Sequence, residues 1–120
     1  MDNAWFTDLA DELAQCLVDA ERCAEACEQL LETLRGSSDP ELRQIVVDAL
    51  VAPAAVARAL IELIDQPPRL VLAACRLYRD CAATAVACLE EVGERVDSAD
   101  AVAALRATLG SCERLLAAAG

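Results

Sequence analysis

From Leu9 to Leu34 the apolar side chains recur at alternating steps of three and four: Leu9, Leu13, Cys16, Ala20, Cys23, Cys27, Leu30 and Leu34. An α-helix turns by about 100° per residue, so these positions share one line, the seam of a packed helix. Asp8, Asp11, Glu12, Asp19, Glu21, Arg22, Glu25, Glu28 and Glu32 fall off that line, and the pattern predicts that they face water. Cys16, Cys23 and Cys27 are therefore stacked along one axis inside a helical core.

The same periodicity continues beyond Gly36. In Gly-Ser-Ser-Asp-Pro, Asp39 is the expected N-cap and Pro40 the first residue of a second helix. That helix carries a narrow polar stripe of Glu41, Gln44, Asp48, Arg58 and Glu62, and Pro53 predicts a kink. More than half of its circumference is apolar, so either the other helices wrap it or part of it forms an interface; a homo-oligomer through this helix is expected. Gln66-Pro67-Pro68 breaks the chain before a third helix. Gly93 opens a short turn, and Asp97-Ser98-Ala99-Asp100 starts a fourth helix whose predicted seam is Val102, Leu105, Leu109, Cys112, Leu116 and Ala119. The predicted helices span about 3–35, 40–65, 68–93 and 98–119. Short turns between helices of similar length predict one all-α domain over 1–120, an antiparallel up-down-up-down four-helix bundle.

Composition narrows what such a bundle contains. Hydrophobic residues make up 57% of the chain but aromatics only 2%, so the core is built from Ala, Leu, Val, Ile and Cys. Alternating strand patterns are missing. A net charge of -11 leaves no basic patch for nucleic acid and disfavours anionic membrane surfaces. The most apolar stretch, Ile45 to Ile64, contains Asp48, Pro53, Arg58 and Glu62 and is not expected to span a membrane. The N-terminus lacks the basic and apolar regions of a secretory leader, so a cytoplasmic location is expected. The seven cysteines are then reduced, and their odd number fits a disulfide framework poorly.

Those cysteines are the candidate chemistry. Cys16, Cys23 and Cys27 lie on the first helix, Cys75, Cys81 and Cys88 on the third and Cys112 on the fourth. Rises of about 1.5 Å per residue, counted from the end that holds the first and third turns, sort them into layers. Cys27 groups with Cys88, Cys23 with Cys81 and Cys112, and Cys16 with Cys75. Thiolates are soft donors that take Cu(I), Zn(II) or iron–sulfur clusters, while Mg(II) and Ca(II) prefer oxygen. Zn(II) wants four ligands, commonly from Cys-x-x-Cys pairs or His, and the chain has neither. A di-iron carboxylate site needs Glu-x-x-His pairs, which are also absent. Cu(I) accepts two or three thiolates, and Cys23-Ala-Glu-Ala-Cys27 places two sulfurs one turn apart on one face. The metal ranking is Cu(I) first, then an iron–sulfur cluster or Zn(II).

The segment Cys16-Leu-Val-Asp-Ala-Glu-Arg-Cys23-Ala-Glu-Ala-Cys27, with the similar texture of Cys75 to Glu90 and of Cys112-Glu-Arg-Leu-Leu, resembles the cytosolic cysteine-rich four-helix-bundle copper storage proteins. The resemblance implies Cu(I) held by thiols lining the bundle, and self-assembly. This chain has one Cys-x-x-x-Cys pair, no cysteine in its second helix, no His, and no Met beyond Met1. A low capacity is thereby implied. Two other readings stay open: an enzyme or redox protein with one Cys-ligated copper or iron–sulfur centre, and a structural bundle whose cysteines only pack. No residue reads as a general base. Tyr78 and Trp5 are expected to pack, and Arg76 and Arg79 to pair with surface acids. The spacing predicts that Cys23→Ala combined with Cys27→Ala lowers copper capacity and keeps the helical circular dichroism spectrum. A copper load equal to the parent's would contradict the role of this pair.

Overall fold

The computed structural model describes residues 9–119. Four helices succeed one another: α1 (Ala10–Arg35), α2 (Pro40–Leu63), α3 (Pro68–Val92) and α4 (Ala99–Ala119), with a 3₁₀ turn at Gly93–Arg95 between the last two. α1 packs on α2 and α4, and α3 packs on the same two, so the helices form a closed ring. The result is the expected all-α four-helix bundle, 54 Å long and 21 × 18 Å across. The predicted ends of α2, α3 and α4 agree within two residues. The expected first turn of α1 near residue 3, and Trp5, lie outside the described residues.

Local signals explain where the helices begin. Asp39 has extended backbone, and its carboxylate accepts from the amide of Leu42 at 3.1 Å, while Pro40 takes the first helical position. That amide, together with Arg95 at 3.1 Å, holds the Asp39 carboxyl below the usual range. Of the two glycines at helix ends, Gly93 takes the left-handed region at φ 62°, and Gly36 does not (φ -85°). α2 continues unbroken through the buried Pro53. It is also long and apolar enough, by length and composition, to cross a membrane; here it packs between α1 and α3.

The seam of α1 is buried as predicted, with Cys16, Ala20, Cys23 and Cys27 fully enclosed and Leu9 packed against the core. Two expectations fail together. Asp19 does not face water: only 6% of it is exposed. On α4 the buried positions are Ala101, Leu105, Thr108, Ser111, Cys112 and Leu115, so Val102, Leu109, Leu116 and Ala119 stand at the margin of the core. One cause accounts for both. Thr108 Oγ1 donates to the main-chain oxygen of Asp19 at 2.9 Å, and Ser111 Oγ donates to its carboxylate at 2.5 Å. Gln15 Nε2 donates to the other carboxylate oxygen at 3.0 Å, and Arg114 Nη2 donates to Ser111 Oγ at 3.0 Å. A buried carboxylate persists only when its oxygens are satisfied: Gln15 and Ser111 serve the two carboxylate oxygens and Thr108 the main-chain oxygen, which turns the Thr108–Ser111 face of α4 inward.

Exposed ion pairs link three of the four seams: Arg58 to Glu28 between α1 and α2, Arg114 to Glu12 between α1 and α4, and Arg106 to Glu90 between α3 and α4. Such pairs add little stability but oppose slippage. Arg79 meets Asp80 at 3.9 Å within α3, as expected of it. Among the described residues no ion pair crosses the α2–α3 seam, which instead presents an apolar groove lined by Val56, Ala59, Leu63, Leu70, Ala74 and Leu77. Ser111→Ala is expected to lower the unfolding free energy by about 2 kcal/mol, because it strips a donor from a buried carboxylate. Chemical denaturation measures this, and a loss within experimental error would mean that Asp19 does not depend on Ser111.

Candidate metal centre

The periodicity of α1 and α3 and the turn between α3 and α4 decide which thiols meet. Cys16 of α1, Cys75 of α3 and Cys112 of α4 bring their sulfur atoms within 4.8 Å of one another. All three residues have 0% exposure. The expected layer of Cys23, Cys81 and Cys112 does not form, because Cys112 joins Cys16 and Cys75 instead. The reason lies at the end of the bundle. The segment from Gly93 to Ser98 crosses that end, with Arg95 tied to Asp39. Asp97, Asp100 and Ala101 then lie beside Ala26, Leu30 and Thr33 of α1, inward of its Arg35 end. Every residue of α4 is thereby displaced along the bundle relative to a count that starts it flush with α1.

The three buried sulfurs lie close enough to perturb one another's protonation. Hydrogen bonds from Cys112 and then Cys16 pull the Cys75 thiol down to about 4 against the penalty of burial, with Arg76 helping. Its partners move the other way. Cys112 is raised by its bonds to Cys16 and Cys75 and by burial. At Cys16 the bond to Cys112 pulls down, but the bond to Cys75, burial, and the charges of Cys75 and Asp19 together push it up to about 12. Of the three, Cys75 is the one whose surroundings favour the anion.

Cys23 and Cys27 form a second group, one turn apart on α1. The bond from Cys27 lowers Cys23 to about 7 against the penalty of burial; the same bond and burial raise Cys27. Tyr78, fully buried on α3, reaches across the ring: its Oη lies 3.1 Å from Cys23 Sγ and donates to the main-chain oxygen of Leu105 on α4 at 3.2 Å. A carbonyl only accepts, so while Tyr78 donates to Leu105 its oxygen accepts from the Cys23 thiol. Tyr78 packs, as expected, and also fixes the Cys23 sulfur, a role that sequence reasoning missed.

The two remaining thiols lie toward the surface. Cys81 is half-buried, its sulfur 3.6 Å from the main-chain oxygen of Tyr78, and burial raises it, with the nearby Cys23 adding to the effect. Cys88 lies in a groove with Ile45, Glu91, Val92 and Arg95. Neither joins the triad.

The donor set limits the coordination geometries that would fit. An ion about 2.3 Å from each of three sulfurs places those sulfurs about 4 Å apart, within the spread seen here. Three thiols with no His suit a soft ion in trigonal geometry. Tetrahedral Zn(II) and an iron–sulfur cluster each call for a fourth ligand. Among the described residues no fourth thiol or carboxylate lies within that distance of the three. Fold and site together describe an all-helical bundle with a thiol core. Comparison of the chain with protein-family models, curated proteins and solved structures gives no match.

In the reduced, metal-free protein the thiolate absorption band is expected at neutral pH and to be lost as the pH falls through about 4. Cys75→Ser removes that low-pH component. A band that develops only above the ordinary cysteine range would show that no thiolate is held in the triad.

Proposed function

We propose that this protein binds a thiophilic metal ion in its helical core, Cu(I) above all, and acts as a low-capacity store or buffer. Cys16, Cys75 and Cys112 hold one ion in trigonal coordination, and Cys23 with Cys27 hold another in two-coordinate form. One observation carries the reading: three thiols from three helices, far apart in sequence, converge within 4.8 Å in a place closed to water. Hydrophobic packing has no need to place three sulfurs in mutual contact.

Cys75, the most acidic of the three thiols, supplies the first anionic donor, and Cys16 and Cys112 release their protons as they coordinate the ion. The enclosing apolar walls keep out water and the hard ligands that favour Cu(II). The resemblance to cysteine-rich copper storage bundles supports the same reading, and the presence of one Cys-x-x-x-Cys pair favours low capacity.

Anaerobic titration of reduced protein with Cu(I) against a chromophoric competitor is expected to saturate at about two equivalents, one for each thiol group. The variant Cys16→Ala/Cys75→Ala/Cys112→Ala should lose the triad ion and keep the other. Wild-type protein that takes up no copper, or a triple variant that binds as much as wild type, would overturn the assignment.

A further inference from the structure

The thiols of the two proposed binding groups are sealed. Cys16, Cys23, Cys27, Cys75 and Cys112 all show 0% exposure, so no carrier in solution can touch them without the bundle opening. Cys81 and Cys88 alone are partly exposed. Both lie on α3 along the line of Leu70, Ala74 and Leu77, which continues the α2–α3 seam. This seam is lined by apolar side chains and has no ion pair across it among the described residues. Cys81 is also the thiol on this line that borders the interior: it packs against the core, shares a helical turn with Tyr78, and feels the charge of Cys23. Tyr78 in turn contacts the Cys23 sulfur at 3.1 Å. Cys88 stands about two turns farther along α3.

We infer that Cys81 is the entry thiol, which takes a thiophilic ion at the α2–α3 seam and passes it to the Cys23–Cys27 pair. The inference rests on the metal-binding reading above. In the transfer, a bond forms between the ion and Cys23 sulfur while the bond to Cys81 sulfur breaks. The Cys23 proton passes to Cys81, and the ion keeps its oxidation state. Cys81 is then free for the next ion, so it governs rate and not capacity.

The test is stopped-flow loading of the reduced full chain with Cu(I) presented as a weak thiol complex, followed by the end-point titration. Cys81→Ser is expected to slow loading about tenfold or more while leaving the final copper content unchanged. Cys88→Ser should load at the wild-type rate. Cys81→Ala, in a position already half open to solvent, checks that the effect follows loss of the sulfur and not the new hydroxyl. Equal loading rates for Cys81→Ser and wild type, or equal slowing by Cys88→Ser, would overturn the entry role. So would an unchanged rate with a lower end point, which would make Cys81 a resident ligand. Failure of the metal-binding reading is distinguishable, because wild type itself would then take up no copper.

Discussion

The three-way contact of Cys16, Cys75 and Cys112 is the constraint on which the interior depends. Three sulfurs meet only if α1, α3 and α4 hold a particular register and rotation, and each other polar feature of the core serves that arrangement. Asp19, Thr108 and Ser111 lock α4 against α1, because a slip of one residue would leave one oxygen of a buried carboxylate without its Ser111 donor. Tyr78 spans the ring from α3 to both α1 and α4 and fixes the distance between diagonal helices. An apolar core would tolerate several registers of nearly equal energy, whereas these directional bonds single one out.

Chemistry follows from that geometry. In the low-dielectric interior the three thiols share protons unevenly, and the surroundings of Cys75 favour the anion there while those of Cys112 oppose it. The result is a set of soft donors with no carboxylate within reach of the three sulfurs among the described residues and no His in the chain, a set suited to a soft ion. The Cys23–Cys27 pair repeats the pattern with two sulfurs and the Tyr78 hydroxyl.

Much of this was legible in the sequence. The steps of three and four in α1 named its buried face, and Asp39-Pro40, Pro67-Pro68 and Gly93 marked the helix limits. The pairing of Cys16 with Cys75 followed from counting rise along two parallel helices. What escaped was the start of α4. The chain between Gly93 and Ser98 crosses the end of the bundle, where Arg95 meets Asp39, a residue far away in sequence, and the length spent there moved Cys112 from one layer to the next. Hydrophobicity also misplaced the inner face of α4. Thr108 and Ser111 look like surface residues until Asp19 is seen to need them, and Asp19 looks like one of many acids on a water-facing helix. A buried polar network has no periodic signature, so only three-dimensional juxtaposition reveals it.

The central claim is that one soft ion sits among the sulfurs of Cys16, Cys75 and Cys112. X-ray absorption spectroscopy of the Cys23→Ala/Cys27→Ala variant, loaded anaerobically with a single equivalent of Cu(I), tests it most directly. The expected spectrum is that of Cu(I) with three sulfur neighbours at about 2.3 Å and no light-atom shell. A two-coordinate spectrum, oxygen or nitrogen neighbours, or copper that stays in solution would contradict it.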